Sequence, residues 1–332
     1  MTAAAAPHRI ELTRPVHRGE FWLESGDAEA RTLAYVRWES PGRRTDQPPV
    51  VLVHGGGGQS TDWSTTPNGD PGWARLLVDA GHPVYLPDRP AHGRSPYRPA
   101  VHGPQLPAAT AADLQQLFTP TSSDARHRAH TQWPWAREPG HRQFDALAAA
   151  SQPMLLGLVR GHRADGEMLI ALLERIGPAI VITHSAGAPA GWIAAQRHPD
   201  LVTALVAIEP LGPPFRDMGA RGRLDFGLAA VPLDLDTATT PDPAQQSRPL
   251  RGLASTAIAV VSADASGRQD ADLATVAFLR AAGAAPDHLV LAECGLTGYG
   301  HGLIFENGHD AVLSLVRAWL EPRSTPPSQG MP

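Results

Sequence analysis

A serine, Ser185, lies at the bend of a predicted strand-turn-helix unit, within the sequence THSAG. Residues 179–183 are apolar and β-branched, as in a strand buried on both faces, and residues 188–197 have helical character. A serine on so sharp a turn is held above the sheet edge, beside the amides that open the helix. The G-x-S-x-G pattern is matched in part, since Thr183 replaces its first glycine. The unit predicts a nucleophilic serine.

A serine hydroxyl is a weak nucleophile at neutral pH and needs a base that removes its proton during attack. His301 is the candidate, because it follows the last predicted strand and precedes the terminal helix, in the chain order expected for such a base. His309 is close by, but it stands at the predicted start of that helix. His184, next to the serine, is expected to be a pocket or packing residue.

A carboxylate must fix the tautomer of the base and stabilise its protonated form. Two carboxylates follow predicted strands at the required edge of the sheet. Glu209 comes after the strand that follows the elbow, and Asp264 comes after the next one, which is the usual location. Each could instead cap a helix or be a surface charge. Spacing alone leaves both candidates open.

Four consecutive glycines, Gly55 to Gly58, follow His54 at the end of the apolar run VVLV. Such a tract marks a place where the backbone comes close to another group. A phosphate-binding loop would need the Walker lysine, or G-x-G-x-x-G with a later acidic residue, and neither is present. Lipases and esterases place H-G-G-G after the third strand as an oxyanion hole. We favour an oxyanion hole over a phosphate loop or a flexible connection.

The elements between these motifs alternate between strand and helix, which predicts an α/β fold with a mostly parallel central sheet flanked by helices. Residues 1–95 and 161–321 are expected to form the two parts of this core. Helical or strand periodicity is missing from 96–160, which is expected to be an inserted lid or cap with short helices. The irregular segment 212–253 would complete the pocket wall, and the Pro/Ser-rich tail 322–332 is expected to be disordered.

The composition excludes several classes of partner. The 332 residues carry a formal charge of −5 without a long basic run, so neither nucleic acid nor an anionic membrane is expected as a partner. The single cysteine, Cys294, allows no internal disulfide. No metal or organic cofactor is expected, and His127, His130 and His141 are interpreted as surface residues. The N-terminus has no signal-peptide pattern and no apolar run is long enough to span a membrane, so a cytoplasmic protein is expected. A homo-oligomer is neither required nor excluded.

From about Arg31 to Leu320 the chain resembles the α/β-hydrolase superfamily. More narrowly, it is similar to a group of bacterial esterases and lactonases that take their acid as Glu after the sixth strand. The matching stretches are HGGGG, TDWSTTPNGDPGWARLLVDAGHPVYLPDRPAHGRSP, THSAG, AIEP and GYGHG. The resemblance implies the α/β-hydrolase fold and a triad of Ser185, Glu209 and His301. It also implies an oxyanion hole made by the amides of Gly56 and Ala186.

Such a site would hydrolyse an ester or lactone of a small, bulky apolar molecule through an acyl-enzyme. An acyltransferase that uses the same triad is one alternative, and a non-catalytic ligand-binding homologue is another. Cleavage of a carbon–carbon bond has no feature in its favour. Dehalogenase and epoxide hydrolase activities are disfavoured, because those enzymes place Asp at the elbow.

Overall fold

The computed structural model describes residues 15–28, 30–120, 125–233 and 249–321. Within these ranges one sheet contains eight strands, which are β1 (Val16–Ser25), β2 (Thr32–Pro41), β3 (Val50–Val53), β4 (Val84–Pro87), β5 (Ala179–His184), β6 (Val202–Ile208), β7 (Ala257–Ser262) and β8 (Asp287–Val290). Their spatial order is β1-β2-β4-β3-β5-β6-β7-β8. β2 is antiparallel to both of its neighbours, and the strands from β4 to β8 run parallel.

The helices of the described ranges are α1 (Trp73–Asp79), α2 (Pro99–His102), α3 (Ala111–Phe118), α4 (Ala125–Arg128), α5 (Arg142–Ala150), α6 (Leu158–Ile176), α7 (Ala188–Arg197), α8 (Arg251–Ser255), α9 (Gln269–Ala281) and α10 (His309–Leu320). Side chains of β3 alternate between two apolar clusters. Val51 and Val53 join the cluster that contains α6, α7 and α9, whereas Val50 and Leu52 join the one that contains α1 and α10. Because both faces are covered by helices, the central strands are apolar throughout.

The parallel strands bring their carboxyl ends, and the loops that follow them, to one edge of the sheet. Ser185 follows β5, Glu209 follows β6, and the segment with His301 follows β8. Topology alone therefore gathers residues that are far apart in the sequence.

The segment 96–160 contains the short helices α2 to α5 and one isolated bridge between Gln105 and Leu155. The predicted boundary at 160/161 lies inside a helix, because α6 already begins at Leu158. Glycines hid this start, and one of them has a packing reason. A Cβ at Gly166 would lie 2.7 Å from Cγ2 of Ile193, so the glycine lets α6 approach α7 closely.

Some expectations concern residues that lie outside the described ranges. They are the first residues of the predicted strand 10–22, part of the irregular segment 212–253, and the tail 322–332. None of the described helices is both long and apolar enough to cross a membrane. The interpretation of His130 as a surface residue is wrong, since it is 2% exposed, with its Nε2 3.1 Å from Oε1 of Glu306.

Candidate active site

Three side chains from three separate loops form one hydrogen-bonded chain. Oγ of Ser185 lies 2.9 Å from Nε2 of His301, and Nδ1 of His301 lies 2.8 Å from Oε2 of Glu209. The histidine is 1% exposed and the glutamate is fully buried. When Glu209 is ionised, Nδ1 carries the proton and donates it to the carboxylate, so Nε2 is free to accept from the serine hydroxyl. The structure thus brings together the three residues implied by the resemblance.

The bend at Ser185 has the strained backbone expected of an elbow, with φ of 51° at a non-glycine residue. Gly187 is needed for space, because a Cβ there would lie 2.6 Å from the carbonyl oxygen of His54. The missing first glycine is compensated on the following helix. A Cβ on Gly191 would lie 3.0 Å from Cγ2 of Thr183, so a glycine in α7 makes room for the threonine.

Glu209 is held by donors to its other oxygen. Oε1 accepts hydrogen bonds from the amide of Ala263 (2.9 Å) and the hydroxyl of Ser266 (2.7 Å). Nε of Arg268 lies 3.6 Å from Oε2. Burial raises the pKa of Glu209, while the Arg268 guanidinium and these two hydrogen bonds act in the opposite direction. The carboxylate is therefore fixed in place and aimed at His301.

Asp264, the other candidate acid, lies elsewhere. Its Oδ1 accepts from the amide of Tyr299 at 3.0 Å and its Oδ2 from the amide of Gly298 at 2.8 Å. These two amides belong to the loop that carries His301. Asp264 therefore anchors the loop of the histidine and makes no recorded contact with its ring.

The protonation of His301 suits a base. Burial, followed by the positive charge of Arg268, lowers the pKa of His301 well below its usual range. A neutral imidazole is the form that accepts a proton from the serine.

Two residues that sequence reasoning did not assign to the site also hold His301. Nε2 of His184 lies 2.9 Å from the His301 carbonyl oxygen, and burial lowers the pKa of His184 to about 3, so its neutral ring donates to that oxygen. Glu306 accepts from the amides on either side, those of Gly300 (2.8 Å) and Gly302 (3.2 Å). The position of His184 beside the serine was the available signal for the first, whereas no motif pointed to Glu306.

The glycine tract lies against the elbow. A Cβ on Gly56 would lie 3.3 Å from the Cβ of Ala186, so the two residues with the predicted oxyanion-hole amides are neighbours. A Cβ on Gly58 would lie 2.1 Å from Oδ2 of Asp62. Gly57 has φ of 67°, in the left-handed region that favours glycine. The tract is therefore required by local packing and backbone conformation, and a plain flexible loop does not describe it.

A pocket of about 250 Å³ opens at Ser185. One side is polar and is formed by the glycine tract with neighbouring side chains, among them Asp62 and Ser151. The other side is apolar and comes from α3, α5 and the loop after His301, with the side chains of Leu114, Leu117, Phe118, Leu147 and Phe305. The Phe118 ring also stacks on His301 with 5.9 Å between centroids. Within the described ranges, no three His, Cys, Asp or Glu side chains are grouped as metal ligands.

A protein named "Probable secreted lipase phiG", from Fungal sp. (strain ATCC 74256), is 34% identical to this chain over 326 residues. The match covers 91% of this chain and 89% of the lipase. The chain belongs to the α/β-hydrolase superfamily of esterases and lipases. For this α/β-hydrolase, the predicted fold class and the predicted enzyme class, a carboxylic ester hydrolase, are confirmed. No model of a known protein family matches the sequence.

Two solved structures are similar to this α/β-hydrolase in fold. A bacterial esterase has a TM-score of 0.70 and 19% identity, covering 96% of this chain and 100% of the esterase. A membrane phospholipase A described as a bacterial virulence factor has a TM-score of 0.50 and 14% identity, covering 93% of this chain and 87% of the phospholipase. At these identities the similarity shows the fold alone.

The expectation of a cytoplasmic protein is wrong. The fungal relative is named as a probable secreted lipase, which points to an extracellular location. Composition misled for a physical reason. With one cysteine, the exposed Cys294, the chain has no internal disulfide to form in either compartment, so cysteine content does not report the redox environment.

Proposed function

We propose that this α/β-hydrolase cleaves a carboxylic ester or lactone through an acyl-enzyme on Ser185, with His301 as the general base and acid. The observation that carries the proposal is the continuous relay from Ser185 Oγ to His301 Nε2 (2.9 Å) and from His301 Nδ1 to Glu209 (2.8 Å). The arrangement has the roles of a serine-hydrolase triad, in which the acid orients the base and stabilises its protonated form.

In the first half-reaction Oγ of Ser185 forms a bond to the substrate carbonyl carbon, and its proton passes to Nε2 of His301. The carbonyl oxygen becomes an oxyanion that accepts from the amides of Gly56 and Ala186. When the carbonyl re-forms, the bond to the alkoxy oxygen breaks, and that oxygen takes the proton from His301. The products of this step are an alcohol and a serine ester. In a lactone the alcohol stays attached to the acyl group.

In the second half-reaction a water molecule attacks the acyl carbon and gives a proton to His301. The bond between that carbon and Oγ of Ser185 then breaks, and the proton returns to the serine oxygen. The carboxylic acid leaves. Protons and electron pairs balance over the cycle without any further reactant.

The pocket supports a substrate with an apolar part. Helices α3 and α5 supply most of the apolar wall, and both belong to the segment 96–160, for which we propose the role of a cap over the site. A volume of about 250 Å³ suits an acyl or alcohol group of moderate size. The name of the fungal relative, a lipase, supports an ester with an apolar chain.

The proposal is tested by turnover of a series of p-nitrophenyl esters and lactones. Ser185→Ala is expected to lower kcat by about 10⁶-fold, because it removes the attacking atom. Ser151→Ala is the matched control, since this serine lines the same pocket but makes no recorded contact with His301. Its activity is expected to stay close to that of the wild type. Wild-type turnover by Ser185→Ala would refute the proposal.

The same experiment separates hydrolysis from acyl transfer. An added alcohol or amine would divert the acyl group from the serine ester to a new ester or amide, and product analysis would detect it. We expect the free acid as the main product. A dominant transfer product would reassign the protein as an acyltransferase with the same acyl-enzyme.

A further inference from the structure

The peptide that joins Gly55 to Gly56 is held at its carbonyl by two donors. Nδ1 of His54 lies 2.9 Å from the Gly55 oxygen, and Nη1 of Arg89 lies 3.1 Å from it. The backbone amide of Arg89 donates to Nε2 of His54 at 2.9 Å, so the proton of the neutral ring must be on Nδ1. Burial, then the positive charge of Arg89, lowers the pKa of His54 well below its usual range, which keeps the ring neutral. Both groups therefore donate to the same oxygen.

Fixing this carbonyl also fixes the amide of Gly56. The two groups belong to one planar trans peptide, in which C=O and N–H point in opposite directions. Donors that pull the carbonyl inward therefore turn the N–H outward. A cation on the carbonyl also polarises the peptide and makes its N–H a stronger donor.

The cation is itself built into the interior. Nη2 of Arg89 lies 2.6 Å from Oδ2 of Asp165 on α6, and the two side chains are 7% and 3% exposed. A buried ion pair recovers its desolvation cost only with good geometry and adds little to stability compared with apolar packing. Its position behind the glycine tract suggests a role beyond stability.

We propose that Arg89, held by Asp165, is a positioning residue for the oxyanion hole, where it orients and polarises the peptide that presents the Gly56 amide. The inference rests on the proposed function, in which that amide receives the oxyanion. The oxyanion exists only in the transition state and the tetrahedral intermediate, so the loss of Arg89 lowers kcat and leaves KM nearly unchanged.

The variants are Arg89→Met, Arg89→Lys and Asp165→Asn, with Arg197→Met as the matched control. Arg197 also donates through two nitrogens to backbone carbonyls, those of Leu233 (3.2 Å) and Pro232 (3.0 Å), but it lies at the end of α7 away from the glycine tract. For each variant we measure the melting temperature, kcat and KM per active site, the pH midpoint, and the rate at which a fluorophosphonate labels Ser185. The labelling step needs the serine and the oxyanion hole, but no ester turnover.

Arg89→Met is expected to lower kcat by about 10- to 100-fold and to slow labelling by a similar factor, because the Gly56 donor is weakened and the Ala186 donor remains. Its KM and pH midpoint are expected to match the wild type, since Arg89 has no recorded contact with His301. Arg89→Lys keeps the charge but loses the fork that bridges Asp165 and Gly55, so an intermediate loss is expected. Asp165→Asn should resemble Arg89→Lys, and Arg197→Met should keep wild-type kcat.

The inference is overturned if kcat and labelling rate per active site in the Arg89 variants equal those of the wild type. It is also overturned if Arg197→Met loses as much activity for a comparable fall in melting temperature. Should Arg89→Met fail to fold, Arg89→Lys and Asp165→Asn decide on the same criteria. A wild-type protein that the fluorophosphonate does not label at Ser185 would refute the proposed function as well, whereas normal labelling with unaffected Arg89 variants would refute the positioning role alone.

Discussion

Replacing Glu209 and Asp264 separately by their amides distinguishes the two candidate acids. In Glu209→Gln the side-chain oxygen is expected to stay at the Oε1 position, because the Ala263 amide and the Ser266 hydroxyl both donate there. The new NH₂ group then faces Nδ1 of His301, which must accept the hydrogen bond. The imidazole proton moves to Nε2, and the ring can no longer accept a proton from Ser185.

This wrong tautomer is expected to lower kcat by about 10⁴-fold, the loss seen when a triad acid is replaced by its amide in other serine hydrolases. Such a factor corresponds to about 5 kcal/mol of transition-state stabilisation. The fold should survive, since the substitution preserves the shape of the side chain. Burial opposes the ionised form of Glu209, so removing its charge also relieves some strain in the native state.

Asp264→Asn acts on the loop instead. An amide side chain has one acceptor oxygen, so it can replace only one of the two bonds to the Gly298 and Tyr299 amides. Losing a hydrogen bond to a charged group costs about 1.5–3 kcal/mol, which should appear mainly as a lower melting temperature. The fall in kcat is expected to stay within about tenfold, because the contact between Glu209 and His301 remains.

Both variants are assayed for kcat on the best p-nitrophenyl ester and for melting temperature by differential scanning calorimetry. A larger loss of kcat in a folded Asp264→Asn than in Glu209→Gln would refute the assignment. Equal losses would mean that the loop, rather than the tautomer, limits the reaction.

Three further perturbations have defined outcomes. Arg268→Gln removes the positive charge that lowers the His301 pKa, so the acid limb of kcat/KM should move to higher pH, while Arg216→Gln leaves it in place; no movement contradicts the electrostatic argument. Burial raises the pKa of Asp62 from 3.8 to about 7, so its ionisation destabilises the fold as pH rises. Asp62→Asn should raise the free energy of unfolding by about 2–4 kcal/mol at pH 8 and hardly at all below about pH 4; an equal effect at both pH values in urea titrations would be inconsistent with this. Leu147→Trp narrows the apolar wall and should lower kcat/KM for long acyl chains about tenfold more than for acetate, whereas equal losses would place the chain elsewhere.

Much of the fold was predictable because the informative signals are local. Short apolar runs such as VVLV, followed at once by glycines or by a serine bend, identify the ends of buried strands. Parallel strands then place those ends at one edge. The sequence therefore predicted which loops meet, and the structure brings Ser185 and His301 together there.

The acid could not be decided by spacing, since both carboxylates follow strands of the same sheet. Direction of the side chain separates them, and that depends on backbone conformation. Glu209 has φ of 43°, an unusual value that no local pattern announced, whereas Asp264 turns to the amides of the neighbouring loop. Only the resemblance to a group of bacterial esterases and lactonases favoured Glu209.

Packing between distant helices explains the other discrepancies. Gly166 and Gly191 weaken helical propensity, yet each makes room for a side chain on another element, Ile193 and Thr183 respectively. Periodicity counts such glycines against a helix, although close packing needs them. The burial of His130 against Glu306 likewise depends on contact between the segment 96–160 and the loop of His301.

Trapping the acyl-enzyme tests the central claim most directly. The protein is mixed with an activated ester, quenched in acid within milliseconds, digested and analysed by mass spectrometry. We predict that the acyl mass appears on the peptide that contains Ser185 and is absent from Ser185→Ala. An acyl group on another residue, or turnover by a protein whose Ser185 peptide stays unmodified at every quench time, would contradict the account.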